Sequence, residues 1–558
     1  MNGAIVLLVV VPAAGALLTA LSRDPVRVRL AVLAALGTAG AVLSVARTAL
    51  ASGVTQTRGV RLPIGVEVAL VVDGLAIVML LMTTLVGLAV VVFAWAEVRR
   101  DPDRHHRAYW PLLFVLWAAL HLLLTAGDLF TVYLMLEVVG LCGSLLVTLR
   151  GDRGSVLAGT RYFYAELVAS TTMLLGVAVV WSQAGTVVFA ELGAALEDAP
   201  MAGLGLAVMT IGLLLKAPLA PLHFWLPAAH TLAPSAVSPL LSGVMVKVAF
   251  AVLVRLWFLS VPDLVTTSAA QLIGAMGALA IVWGSFGALL ATGLKRLIAS
   301  STVAQLGLLF LLVPLVAAGS VDGWSGGIVL AISHAAAKGA ILMAAAVLVD
   351  SARAAGVRAA GVRAAGEHPP GERPASEHPT GECSASEHPT GERSAGERPA
   401  GGDSPTEVAD ADSGPGRQVE PVTAARGETT WPLLMELRGS AARRPIAMMA
   451  FGIASISLVG LPPSGGFVAK WYLLIGSITT GQWWWVAVVV AGTLLTVGYL
   501  MRFVRPAFAP LPEDERPVPR RDARDLVALA LATSTLVLGL FPGPLLELLA
   551  IGGPHGGG

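Results

Sequence analysis

"IGLLLKAPLAPLHFWLPAAH" runs from Ile211 to His230. Lys216 stands inside an apolar run, with three prolines and a histidine close behind it. In a soluble protein such a lysine could end a helix. At the centre of a membrane helix it costs roughly 2.5–3.5 kcal/mol on insertion scales, and that cost calls for a reason.

Composition places the chain in the membrane. It has 558 residues, 56% hydrophobic and 13% charged, with a mean hydropathy of +0.77. A soluble chain is nearer a quarter charged. The net charge of +1 gives no bulk attraction to nucleic acid. The two cysteines, Cys142 and Cys383, lie in very different settings and indicate neither a disulfide framework nor a metal cluster. The first apolar run has no basic leader and is followed by further runs. It reads as a membrane helix that stays.

A hydrocarbon core takes roughly 20 apolar residues per helix. Fourteen runs qualify, near 2–21, 28–50, 68–95, 109–126, 128–149, 161–182, 203–225, 235–260, 269–291, 298–318, 324–350, 445–478, 484–505 and 525–548. Those at 68–95, 235–260 and 445–478 are long enough to tilt or break. Arginine and lysine crowd the connections after helices 1, 3, 5, 9 and 13. The even-numbered connections are poorer, Arg58 and Arg61 after helix 2 excepted. The positive-inside rule then puts both termini outside. The expected organisation is a membrane domain of helices 1–11 (residues 1–350), a cytoplasmic linker (351–444), and helices 12–14 (445–558).

The linker is Gly, Pro, Glu, Arg and Ala. "EHPPGE", "EHPTGE" and "EHPTGE" begin at Glu367, Glu377 and Glu387. Too few apolar groups are present to offset the ordering entropy, so disorder is expected. His368, His378 and His388 read as a drifted repeat rather than a metal site. "WPLLMELRG" from Trp431 reads as an interfacial helix leading back into the membrane.

Seven ionisable groups fall at membrane depth: Glu137, Lys216, His223, Lys247, His334, Lys338 and Lys470. His334 and Lys338 are four apart and share a helix face. Singly each could be a structural pair or a snorkelling end. As a set they are harder to explain that way, because Glu137 can neutralise one lysine and leaves three others without an obvious acid. A lysine in a poorly solvated place has its charged form disfavoured and can exchange a proton near neutral pH. An imidazole between such lysines passes protons through alternate nitrogens. This is the chemistry of a proton relay, with Glu137 expected to pair with Lys216. Pro218 and Pro221 in helix 7, and Pro462 and Pro463 in helix 12, interrupt backbone bonding beside two of the lysines. Such breaks are tolerated where protein or a water cavity satisfies the freed groups. Glu166 reads as a local partner of Arg161, Asp73 as a boundary residue, and His121 as a satisfied core histidine. No phosphate-binding loop, soluble nucleotide domain, cysteine cluster or haem-type histidine pair is present in the sequence. The chain is expected to have no catalytic chemistry of its own, and cofactors and metals are expected to be none.

"KAPLAPLHFWLPAAH" (216–230), "APSAVSPLLSGVMVK" (233–247), "LKRLIASSTVAQLG" (294–307), "SHAAAKGAILM" (333–343) and "LPPSGGFVAKW" (461–471) follow in order. Together they resemble the large antiporter-like subunits shared by Mrp-type cation/proton antiporters and by complex I and related hydrogenases, over nearly the whole chain apart from the linker. The resemblance implies an all-α polytopic membrane protein. It would have about fourteen transmembrane helices in two inverted five-helix repeats, helices 4–8 and 9–13, with helices 7 and 12 broken. It also implies that Glu137, Lys216, Lys247 and Lys470 carry protons, with His334 and Lys338 in the connecting polar axis. "TAGDLFTVYLMLEV" (125–138) looks most like the D subunit of Mrp antiporters, and Lys470 also fits the N branch of complex I. Ala228 departs from the acid usual after "WLP", and the 351–444 insertion is foreign to the pattern. The implied partners are other membrane subunits of a hetero-oligomer in a bacterial-type plasma membrane, with protons and sodium as the moving ions. The alternative is a proton-pumping subunit of a redox complex. A non-conducting scaffold is a third reading, and the retained relay residues argue against it.

Overall fold

The computed structural model describes residues 2–61, 67–100, 107–366, 433–511 and 522–554. Its helices follow the fourteen apolar runs. They are α1 (Asn2–Leu21), α2 (Val26–Ser52), α3 (Gly74–Arg100), α4 (Tyr109–Leu124), α5 (Leu129–Thr148), α6 (Arg153–Ala184), α7 in two parts (Ala202–Lys216 and Leu226–Leu232) and α8 (Ser238–Ser260). After them come α9 (Thr267–Leu290), α10 (Leu294–Ala317), α11 (Val321–Gly366), α12 in two parts (Pro445–Val459 and Gly465–Thr479), α13 (Trp483–Ala507) and α14 (Ala523–Leu540). Eleven are long and apolar enough to cross a membrane; α4 and the first parts of α7 and α12 are shorter apolar helices. The two interrupted helices hold the same place, fourth, in the groups α4–α8 and α9–α13.

Local chemistry sets where the helices start. Asp128, Asp152, Thr266 and Asp522 cap α5, α6, α9 and α14 by accepting from the backbone N–H of Thr131, Ser155, Ala269 and Arg524. Gly185 (φ 65°) ends α6 in the left-handed region that glycine adopts without strain.

One departure from the all-α expectation lies at the start of the 68–95 run. Glu67–Val72 is strand β2, paired antiparallel with β1 (Thr55–Arg61), and α3 begins only at Gly74. Val, Ala and Leu alternate too briefly here to fill a span, and Asp73 accepts from Ala76 N–H at 2.8 Å and starts the helix. Asp128 Oδ2 takes the N–H of Ala69 at 2.9 Å, which ties β2 to the start of α5. Asp73 is also ion-paired to Arg255 of α8 at 2.8 Å. The 235–260 run does not break. It carries two π turns, Leu241–Met245 and Leu256–Ser260, on either side of an α stretch.

The most apolar stretches of α8, α10 and α11 are wholly buried, whereas α1, α2, α13 and α14 leave large faces exposed. The buried lysines therefore lie on, or beside, the innermost helices. Exposed Leu, Val, Phe and Trp side chains on the outer helices, Leu33, Leu43, Leu175, Trp283 and Leu494 among them, suit a lipid environment.

Residues Met1–Ala355 and Trp431–Gly558 form one unit and Gly356–Thr430 another. The expected disorder of the linker falls on residues 367–432, which lie outside the described residues, as do His368, His378 and His388. Described elements extend into the expected linker range, 351–444, from both sides. α11 runs to Gly366, and from Leu433 the chain is ordered as a turn (Leu434–Leu437) and a short helix (Ser440–Arg443). The returning segment is anchored: Leu434 N–H donates to Thr292 O at 3.0 Å, and Arg444 pairs with Asp525 at 3.3 Å. Before the insertion, Asp350 pairs with Arg524 at 2.6 Å. Each flank of the insertion is thus tied to the membrane domain by bonds among the described residues. Replacing residues 367–430 by a short flexible tether should leave assembly of the membrane domain intact. Size-exclusion chromatography of the purified protein checks this; an aggregated or degraded product contradicts it.

Candidate functional site

The first interruption gathers an acid and a lysine. Lys216 ends the first half of α7, where carbonyl groups lack helical partners and a cation is favoured. Its Nζ donates to Glu166 Oε2 of α6 at 2.7 Å, and both groups are buried. The expected partner was Glu137, and the expected partner of Glu166 was Arg161. The structure instead puts Glu166 on Lys216. Glu137, on α5, stands near enough for its charge to act on Glu166, and its Oε1 is buried without a hydrogen bond. Gly140, one turn after Glu137, makes this possible. A Cβ there would meet Glu166 Oε2 at 2.8 Å and its Cγ at 3.1 Å, so the bare backbone leaves room for the acid to lie against α5.

The second interruption is satisfied differently. Lys470, on the second half of α12, reaches back to the open end of the first half. Its Nζ donates to Leu458 O at 3.1 Å, Val459 O at 2.7 Å and Thr493 Oγ1 of α13 at 3.1 Å. Gly460 ends the first half at φ 84°, and a Cβ there would meet Lys470 Cδ at 2.7 Å. Only glycine suits both the backbone and the lysine stem.

Between the interruptions runs a line of lysines and hydroxyls. Lys247 Nζ donates to Ser242 O at 2.5 Å, within reach because the π turn displaces that carbonyl. Ser242 Oγ bonds Thr302 Oγ1 of α10 at 2.9 Å. Lys338 of α11 donates to Ile298 O at 2.8 Å and Ser301 Oγ at 2.5 Å. Ser333 and Ser457 hydroxyls, 2.8 Å apart, join α11 to α12. His334 is buried with both ring nitrogens unbonded, and the charges of Lys247, Lys338 and Lys470 all reach it. Among the described residues, Lys247, Lys338 and Lys470 have no carboxylate at ion-pair distance; carbonyls and hydroxyls hold them instead.

His223 is not in this line. It lies half-buried and edge-on to Trp283, ring centroids 6.0 Å apart. The histidine that joins is His230, seven residues on. It is buried, both nitrogens are unbonded, and the charges of Lys247, Lys295 and Lys338 reach it. Lys295, which reads in the sequence as a connection charge after helix 9, is buried too, with Nζ donating to Ala233 O. One signal was available: Lys295 is in the first turn of α10, where the helix dipole opposes a cation, so something else has to hold it. His121, expected to be a satisfied core histidine, is satisfied at one nitrogen only: Nδ1 lies 3.0 Å from Leu8 O, and Nε2 is buried without a hydrogen bond.

The fold and this line define a polytopic membrane protein with a buried row of titratable groups joining two interrupted helices. The chain belongs to the family described as NADH:quinone oxidoreductase/Mrp antiporter, TM, whose model matches residues 126–360 and 425–496 and leaves most of the insertion unmatched. It is 30% identical over 497 residues to NADH-quinone oxidoreductase subunit N of Desulforudis audaxviator, covering 86% of this chain and 83% of that one. It is 26% identical over 517 residues to NADH-quinone oxidoreductase subunit N 1 of Symbiobacterium thermophilum, covering 88% and 87%. Among solved structures it is similar to a chain of the Mrp complex from Dietzia sp. DQ12-45-1b, with TM-score 0.75, 22% identity and coverage of 99% and 97%. A chain of respiratory complex I from Thermus thermophilus gives TM-score 0.72, 21% identity and coverage of 99% and 100%.

The geometry separates the two acids. Removing one partner of a buried ion pair costs about 3–5 kcal/mol, because the other charge is left uncompensated. Glu166→Gln should therefore lower the thermal unfolding midpoint of the detergent-purified protein well below that of Glu137→Gln. The opposite order would restore Glu137 as the partner of Lys216.

Proposed function

We propose that this chain is the proton-translocating membrane subunit of a multi-subunit monovalent cation/proton antiporter of the Mrp type. What carries the reading is the buried row itself. Four lysines, Lys216, Lys247, Lys338 and Lys470, are held between two interrupted helices, and three of them rest on neutral oxygens. A lysine so held can release its proton without leaving a carboxylate behind unpaired. A purely structural cation would gain from a fixed acid. Each lysine takes a proton from one neighbour and gives it to the next, with His334 and His230 as bridges. Glu166 holds Lys216 charged until its proton leaves, and Glu137 modulates that acid. The second reading is a proton-pumping subunit of a complex I-like oxidoreductase. The identity to subunit N favours it.

Protons and sodium are the proposed ions, and other membrane subunits the partners. The arginine-rich connections support a bacterial cell membrane with both termini outside and the insertion in the cytoplasm. Purifying the native complex and recording flavin and iron–sulfur absorbance decides between the readings. Their absence, with sodium-dependent proton movement, supports the antiporter; their presence supports the redox pump.

Lys470 separates charge from proton exchange. In proteoliposomes holding the whole complex, Lys470→Ala should lower proton flux at least tenfold. Lys470→Arg should fail as well, because arginine stays protonated. Wild-type flux in an assembled Lys470→Arg complex would leave Lys470 as a pairing residue only.

A further inference from the structure

A second buried acid–lysine arrangement lies outside the row, at the arginine-rich end of α3. Glu97, in the last turns of α3, is fully buried. Arg524 of α14 stands 3.6 Å from its Oε1 and also pairs with Asp350 at 2.6 Å and Asp522 at 3.0 Å. Asp522, with Arg99, Arg100 and Arg444, lines an open cleft of about 410 Å³. One chain of charged groups thus leads from that cleft to Glu97.

On the inner side, a five-residue connection, Ala233–Val237, joins the second half of α7 to α8. It holds both ends of the next step. Ser235 Oγ donates to Glu97 Oε1 at 2.7 Å, and Ala233 O accepts from Lys295 Nζ. The charge of Glu97 reaches Lys295, and the charge of Lys295 reaches His230. Other groups acting on this spot are Tyr109 of α4, which feels Glu97, and Arg150 and Arg353, which act on Lys295.

We infer that Glu97, with Ser235 and Lys295, is a proton-loading point that connects the arginine-rich cleft to His230 and the lysine row. The Glu97 carboxylate takes one proton from the cleft and becomes neutral. The neutral Lys295 amine then takes that proton, and the carboxylate is restored beside Arg524. Lys295 passes the proton to a His230 nitrogen and returns to the amine. This deepens the proposed function and rests on it. A merely structural Glu97 would be a permanent anion clamping α3 to α14.

The test uses the assembled complex in proteoliposomes, with proton flux driven from the side of the cleft. Glu97→Gln should lower flux at least tenfold, and Glu97→Asp should retain part of it. Ser235→Ala, which removes no charge, should slow flux severalfold with assembly unchanged. Infrared difference spectra of the complex on acidification should show a protonated-carboxyl band that disappears in Glu97→Gln. Lys247→Ala is the control for the row. If Lys247→Ala abolishes flux while Glu97→Gln and Ser235→Ala transport normally, the loading point is wrong and the row stands. If Lys247→Ala itself transports normally, the function on which this rests fails. If Glu97→Gln does not assemble, wild-type flux in Ser235→Ala without a Glu97 carboxyl band overturns the proposal.

Discussion

An ammonium group taken out of water has to meet oxygen atoms, and the inner helices are shaped around that demand. Ordinary α-helices offer few carbonyls, because each is already bonded four residues on. This chain frees or displaces them in three ways. α12 is interrupted, so that Lys470 rests on Leu458 and Val459. A π turn brings Ser242 O to Lys247. A turning connection offers Ala233 O to Lys295. The irregularities of the fold and the buried charges are one fact seen from the backbone and from the side chains.

The two interrupted helices solve the same problem by different chemistry. Lys216 has a carboxylate, Glu166, as its partner; Lys470 has carbonyls and a threonine. A carboxylate binds the charged lysine more tightly and moves less readily out of register. Neutral oxygens hold the proton more loosely. The two ends of the row are therefore unequal, and under the proposed function an unequal pair would give a sequence of proton transfers a preferred order.

Much of this was legible in the sequence. Apolar runs of roughly 20 residues are forced by the bilayer, so the fourteen helices and their order could be read directly. The breaks could be read from Pro218, Pro221, Pro462 and Pro463. Five of the seven singled-out groups, Lys216, Lys247, His334, Lys338 and Lys470, lie in the row. Partnership was not legible, because it depends on which faces of separate helices meet. Glu166 looked local through Arg161, yet its helix turns it toward Lys216, and the decisive neighbour is the absent side chain of Gly140. In the sequence Lys295 reads as an ordinary connection charge, and nothing there singles out Glu97. Only the packing of α3, α10 and the Ala233–Val237 connection reveals that water is excluded there. The β1–β2 pair is not evident from the sequence because its second strand is itself apolar and only one polar residue, Asp73, separates it from the apolar helix α3.

The paired π turns of α8 have a mechanical consequence. Each holds one residue more than an α turn, and Val246–Arg255 lies between them. If one π turn tightens as the helix loosens elsewhere by the same residue, the intervening stretch rotates by about 100°, the angle between successive residues. The ends of the helix stay where they are. Lys247 would swing about the axis like a key in a fixed lock, at the cost of repacking its buried neighbours and parting Arg255 from Asp73.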